Sequence, residues 1–445
     1  MNTENKLATN FNFLSLIKFA FPSIIMMMFS ALYIVVDGAF VSRLVHTNAL
    51  SAINIIYPLY SFIFAIATML SCGSSALIAK KMGEQKNDEA KSNFSLITIV
   101  SAIIGIVFAI LCLIFLKPLI YFLGSNDNIY HYCYDYIIPI LIFAPFCILQ
   151  ILFQSFYIVA GKPKIGLILS IIGGTANIIL DYVFIVPFDM GIAGASYGTV
   201  IGFFIQSIFG IFYFFLNRKG TIYFTVPKYD FAVITKSCYI GLARLIENTA
   251  IAITTFLFNI QMMKYGGVDG IAAITIVLYM EFILVSVFIG YSGGIAPIFS
   301  YNYGAKNTFQ LKKVFKITIY FISIISVLVY ICSFFSAPYL IYTFAVKESV
   351  VFKLGLSGFM LFSISFFFTG TNIFSASLFI ALSNGKIATV ISILRTLIFL
   401  SVCIMLLPVF LGINGVWLSV PVTEFLSFIV SWYYLITKKN NYGYI

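Results

Sequence analysis

The sequence predicts an all-α membrane protein: twelve transmembrane helices in two pseudo-symmetric six-helix bundles around a central cleft. Three observations carry that prediction. Of the 445 residues, 61% are hydrophobic and only 9% charged, with a mean hydropathy of +1.06; soluble globular domains carry about 25% charged residues. The apolar residues gather into twelve runs, and about 20 apolar residues suffice for a helix to cross a bilayer. The first half of the chain recurs in the second at an offset of 221.

The runs have approximate cores at 13–41, 51–79, 94–116, 134–159, 165–187, 191–216, 232–262, 271–300, 315–335, 354–382, 387–408 and 413–436. The polar stretches between them are of loop length, which leaves no room for a large soluble domain. The first run is too long for the apolar part of a cleavable signal and is expected to stay as the first span. The seven cysteines lie mostly inside apolar runs, at spacings that suggest neither a disulfide frame nor a metal site. They read as small packing residues.

The net charge of +11 is not a nucleic-acid signature, because the basic residues sit in short loops. Of 26 Lys and Arg residues, 19 lie at the termini and in the even-numbered gaps, and 5 in the odd-numbered gaps. That bias places both termini in the cytoplasm of a multi-pass cell-membrane protein.

The repeat aligns Ala-Ile at 52–53 with 273–274, Gly73 with Gly294, Gly83 with Gly304, and Gly191 and Gly194 with Gly412 and Gly415. Six spans fall in each copy, so both copies share one topology, related by an axis along the membrane normal. The polar segment 217–230 is the expected cytoplasmic linker between an N-terminal lobe, 1–216, and a C-terminal lobe, 231–445. Two such lobes facing one cleft form an alternating-access architecture.

Few ionisable residues lie within the runs: Asp37, Asp181, Arg244, Glu247, Glu281, Arg395 and Glu424. A charge at bilayer depth costs at least about 2.5 kcal/mol, so each needs a partner or a task. The run IGLILSIIGGTANIILDYVFIVP, 165–187, holds Asp181 well inside it, with Asn177 four residues earlier on the same helical face. At the repeat offsets Asp37 maps to Phe258 and Asp181 to Met405, so the acid pair belongs to one lobe. A pair kept for symmetry would occur twice. Asp37, Asn177, Asp181 and Thr199 together offer hard oxygen ligands for Na⁺, or a place to hold a proton. Like-charged carboxylates in a dry cavity favour either outcome. The spacing does not choose between the two ions; the alternative to a cation site is a satisfied buried acid paired to a neighbouring helix.

The stretches VDGAFVSRL at 36–44, NIILDYVFI at 177–185, GIAGASYGT at 191–199, PIFSYNYGAKN at 297–307 and SNGKIATVISILRTLIF at 383–399 resemble the multidrug and toxic compound extrusion (MATE) family. The resemblance implies twelve helices in two lobes. It implies secondary antiport: export of small amphiphilic, often cationic, drugs or toxic compounds coupled to inward Na⁺ or H⁺. It also implies that the first-lobe cation site uses Asp37, Asn177, Asp181 and Thr199. Near the end of span 8 the chain departs from the pattern, carrying Gly293-Gly294 where relatives often have Gln-Gly.

Glu281 and Tyr279 in span 8, and Arg395 in span 11, are the candidate substrate-binding residues. Glu281 is suited to attract a cation into the cleft, with a hydrogen-bonded structural role as the alternative. Arg395 matches the family's span-11 arginine and should have a carboxylate or carbonyl partner. Arg244 and Glu247, at i and i+3, are expected to neutralise each other. The sequence offers Glu424 no evident partner. Some of the 49 Phe, 28 Tyr and 12 Met residues would line a cleft suited to flat apolar cations.

An ATP-driven pump is not expected, since the chain has no phosphate-binding P-loop. Nor is an intramembrane enzyme: there is no HExxH and no membrane His. No cofactor beyond the coupling ion, no nucleic-acid partner and a monomer in the bilayer are expected. The rival reading is a lipid-linked precursor flippase of the same superfamily. Such proteins rely on a cationic cavity, whereas this chain carries acids inside the membrane.

Overall fold

A computed structural model describes residues 5–44, 47–347 and 349–445, with the side chains of 35 and 37–50 outside the described set. Among the described residues the chain is helical, with no strand. Helices α1 (Phe13–Leu44), α2 (Thr47–Gly83) and α3 (Asn87–Ile114) are continuous. A short helix, Leu116–Phe122, then leads to α4. α4 is a broken span in which Asp127–Ile142 and Ala144–Val159 meet at 55°. Pro145, in the first turn of the second segment, lacks the amide proton needed to continue the first. α5 (Pro163–Ile185) and α6 (Gly191–Leu216) complete the first half.

The second half opens with one helical stretch of 74 residues, Phe231–Gly304. Unbroken, at about 1.5 Å per residue, it would be about 110 Å long, more than three hydrocarbon cores of about 30 Å. Gly267, at φ 63° and ψ −155°, breaks it into α7 (231–266) and α8 (268–304). That conformation is open to glycine and strained for other residues. α9 (Thr308–Tyr342), α10 (Val350–Ala381), α11 (Gly385–Leu411) and α12 (Ile413–Tyr442) follow. The division at Gly267 and the broken α4 bring the ten separate apolar helices among the described residues to twelve crossings. The sequence expectation of twelve spans is met, with both chain ends on one side.

Short polar residues start many of these helices by accepting a first-turn amide proton. Asn12 and Ser15 cap each other's backbone at the start of α1, both at 2.8 Å. Asn126, Asn307, Ser349 and Asn384 do the same for α4, α9, α10 and α11. The sequence repeat is also a backbone repeat. Gln85 and Lys306, 221 apart, sit at φ 61° and 55°, and Gly191 and Gly412, also 221 apart, sit at φ 55° and 58°. The segment between α6 and α7 is strapped to α3, where Ser95 and Ser92 accept the backbone protons of Thr225 and Lys228 at 2.9 and 2.8 Å.

Two six-helix lobes result, and their contact is uneven. One hydrophobic core runs from the C-terminal lobe into the end of the N-terminal lobe that carries the chain termini, through Leu16, Ala20, Ile24, Met82, Phe94 and Phe214. The opposite end of the N-terminal lobe has a core of its own, built on Ala52, Ile56, Ile137, Ile192 and Val200. The lobes are thus fused through apolar packing at the termini end and keep separate cores at the other.

Candidate functional site

The first-lobe site is built by α5 against α6. Small residues let the two backbones approach closely. A Cβ placed on Gly198 would fall 2.0 Å from Asp181 Oδ1 and 3.0 Å from the Asp181 amide nitrogen. Only glycine allows α6 to run that near the acid. A Cβ on Gly202, one turn on, would likewise fall 2.8 Å from the Gly173 carbonyl oxygen.

In this seam Asp181, Asn177 and Thr199 are 1%, 2% and 6% exposed. Asn177 Nδ2 donates to Asp181 Oδ1 at 3.3 Å and to Thr199 Oγ1 at 3.1 Å. Thr199 in turn donates to the Ala195 carbonyl at 3.1 Å. Asn177 Oδ1 is buried and has no hydrogen-bond partner among the described residues. The group is therefore a compact set of oxygens held by one amide, with a carbonyl oxygen left to accept. Three of the four residues expected from sequence come together. The fourth, Asp37, has its side chain outside the described residues; position 37 follows Ser30 and Tyr33 on α1 at helical spacing.

The sequence places Asp181 well inside the fifth span. The structure ends α5 at Ile185, so the acid lies one turn from the helix end, on the side away from the termini. A cavity of about 30 Å³, room for a water molecule, continues from it toward the termini. Its lining includes Ser30, Gln150, Gln154, Ser170, Asn177 and Gln206. Gln150 and Gln154 donate to Gln206 Oε1 at 3.1 and 3.5 Å, and Gln154 also reaches Ser170 at 3.1 Å. The sequence reading missed this amide chain because it searched for charges. Gln150 and Gln154, four residues apart in an apolar span, were the available signal.

The second lobe holds a charged cluster. Arg244 pairs with Glu247 at 2.7 Å and donates to Ser377 at 2.6 Å, while Ser392 donates to Glu247 at 2.6 Å. The expected mutual neutralisation is present. Arg395 donates to Glu424 Oε1 from Nε and Nη2, at 2.8 and 2.7 Å. Glu424, for which the sequence offered no partner, thus completes the expected partner of Arg395. Asn372 Nδ2 secures the other carboxylate oxygen at 2.6 Å, and Ser431 secures Asn372 at 3.0 Å. Arg395 lies in a π-helical stretch, Leu394–Phe399, of a kind often found at functional sites. Glu281 is half-buried and close enough to Arg395 and Glu424 to interact with both charges. Tyr279 is 39% exposed and stacks on Phe344, centroids 6.5 Å apart.

Two Gly-x-Ser-x-Gly strings occur, at 194–198 and 290–294. Neither sits on the strand-to-helix elbow that exposes a nucleophile. Ser196 donates to the Tyr136 carbonyl at 2.6 Å, and Ser292 is buried within α8.

The MatE family model matches residues 22–183 and again 244–405, once in each half. Over 421 residues the chain is 25% identical to the multidrug export protein MepA of Staphylococcus aureus (strain MRSA252), covering 93% of this chain and 91% of the relative. With MepA of Staphylococcus haemolyticus (strain JCSC1435) it shares 24% identity over 439 residues, covering 96% and 94%. Its fold matches a structure described as the outward-facing conformation of a multidrug resistance MATE family transporter of the MOP superfamily. The TM-score is 0.94 at 21% identity, over 100% of both chains. A MOP superfamily transporter from Pyrococcus furiosus matches at TM-score 0.91 and 21% identity, over 99% of both chains. The doubled model match, the full-length relatives and the two-lobe fold agree: the chain belongs to the multidrug and toxic compound extrusion family of membrane transporters.

Proposed function

We propose that the protein is a cation-coupled secondary antiporter that exports small amphiphilic, cationic drugs or toxic compounds across the cell membrane by alternating access. The observation that carries the reading is Asp181, 1% exposed in an apolar lobe and tied through Asn177 to Thr199. A carboxylate is kept at such a place for a task. With Asp37 from α1, these oxygens form the site for Na⁺ or H⁺, which is a transported ion and not a resident cofactor. The relatives' description as multidrug export proteins supports the cargo class.

Both termini face the cytoplasm in this reading, following the basic residues at that end. The apolar fusion of the lobes at the termini end then closes the cytoplasmic side and leaves the cleft open outward. Ion occupancy in the N-terminal lobe biases which side is closed, and the amphiphile leaves in exchange. The acids Glu281 and Asp181 favour cationic cargo over the diphosphate headgroup of a lipid-linked precursor.

Proteoliposomes carrying ethidium test the proposal. Asp181→Asn should abolish ion-driven dye transport while the protein keeps its thermal transition. Full transport by that variant would refute the coupling site. Transport that stops without Na⁺ but survives collapse of the pH gradient identifies Na⁺, and the converse identifies H⁺.

A further inference from the structure

Away from the cleft, α9 and the start of α1 enclose a surface groove of about 410 Å³ lined by Phe13, Lys313, Lys316, Ile317, Tyr320 and Ile324. Residues 313, 316/317, 320 and 324 recur at helical spacing, so they form one stripe along α9. The stripe changes character along its length: two lysines lie nearest the termini end, and the apolar residues lie deeper. Phe13 forms the facing wall, and Phe13, Tyr320 and Ile324 are 47%, 60% and 53% exposed.

We infer that this groove binds one anionic phospholipid from the leaflet on the side of the chain termini. Length supports that occupant. From Lys313 to Ile324 is eleven residues, about 16 Å at about 1.5 Å per residue, close to half of a hydrocarbon core about 30 Å thick. A headgroup at the lysines leaves an acyl chain the whole depth of its leaflet against Ile317, Tyr320 and Ile324. Charge supports it too. Among the described residues neither Lys313 nor Lys316 takes part in a salt bridge, and α9 has no acid in its first turn. Two ammonium groups over an apolar trough complement a phosphate diester with a net negative charge, and a zwitterionic headgroup offers them no net attraction. Tyr320 is suited to the boundary between the two regions, its ring against the chain and its hydroxyl toward the ester level.

The test is native mass spectrometry of the full-length protein with defined mixtures of dioleoyl phosphatidylglycerol and dioleoyl phosphatidylcholine. The wild type should retain one phosphatidylglycerol with a preference of about thirtyfold, about fivefold for each lysine. Lys313→Gln with Lys316→Gln should erase the preference. Lys312→Gln, one residue away but outside the groove, should keep it. Phe13→Ser should weaken retention of both lipids alike. Equal retention of the two lipids by the wild type overturns the proposal, as does a preference that persists in the double variant or falls equally in Lys312→Gln. Because the readout is lipid retention and not transport, its failure leaves the antiport reading untouched.

Discussion

Gly83 and Gly304 make the same contact from opposite lobes. A Cβ on Gly83 would lie 2.0 Å from the Tyr301 carbonyl oxygen, and a Cβ on Gly304 would lie 2.1 Å from the Lys80 carbonyl oxygen. Both the glycines and the carbonyl-bearing residues are 221 positions apart. The pseudo-twofold axis therefore passes between the ends of α2 and α8, where the backbones touch. Gly73 against Gly241 and Gly294 against Ala20 repeat the relation deeper in the seam.

That contact forms the closed end, so enlarging it should open it. Gly83→Val and Gly304→Val each force a branched side chain into backbone that cannot yield. Each should cut dye transport at least about tenfold, and overpacking in a helix seam costs about 1–3 kcal/mol. Spin labels on the termini-side ends of α2 and α8 should report a longer separation in both variants. An unchanged distance in either would mean that the seam does not set the closed state.

The N-terminal site makes a finer prediction at Gly198. Gly198→Ala changes no charge, yet its Cβ would press on the Asp181 carboxylate and amide at 2.0 and 3.0 Å. Transport should fall nearly as far as in Asp181→Asn. Thr199→Ser keeps the oxygen that Asn177 donates to and should retain most activity, whereas Thr199→Val should lose it. Efflux assays beside a thermal melt separate lost coupling from lost folding; equal activity of the Ser and Val variants would remove Thr199 from the site.

In the second lobe, Arg395 and Glu424 have side chains 15% and 6% exposed. Glu424→Gln removes the one carboxylate in salt-bridge contact with the guanidinium among the described residues and should destabilise the protein by about 3–5 kcal/mol, seen as a lower denaturation midpoint. Arg395→Met with Glu424→Leu removes both charges and should recover most of that loss, because buried pairs exchange for apolar residues at little cost. If the single and double variants are equally damaged, the pair does more than neutralise itself.

Much of this was legible in the sequence because bilayer physics is strict. Apolar runs must be helices, and glycines repeating at 221 must occupy equivalent places. Asn177, Asp181 and Thr199 were found because a polar residue in such a run needs a reason. Gln150, Gln154 and Gln206 went unread because amides cost less than charges and recruit partners from other helices. The Arg395–Glu424 pair joins α11 to α12 across 29 residues, a separation at which no helical spacing brings two side chains together. The broken α4 and the kink at Gly267 depend on local backbone geometry, which hydropathy averages away.

Glu281 carries the prediction that bears most directly on cargo. Arg244 balances Glu247 and Arg395 balances Glu424, and the neighbouring Glu281 adds a third carboxylate to those two bases. Glu281 is the one carboxylate of the cluster that no salt bridge reaches among the described residues. An amphiphilic cation would complete it, the charge at Glu281 and its apolar body against rings such as Tyr279. Glu281→Gln should therefore raise KM for a cationic dye by about tenfold to a hundredfold, the usual worth of a hydrogen bond to a charged group. KM for a neutral amphiphile should stay within about twofold, since apolar contact is unchanged. Glu281→Asp should recover part of the cationic affinity. Equal losses for both substrates would make Glu281 a folding residue of the cluster and move the cargo site elsewhere in the cleft.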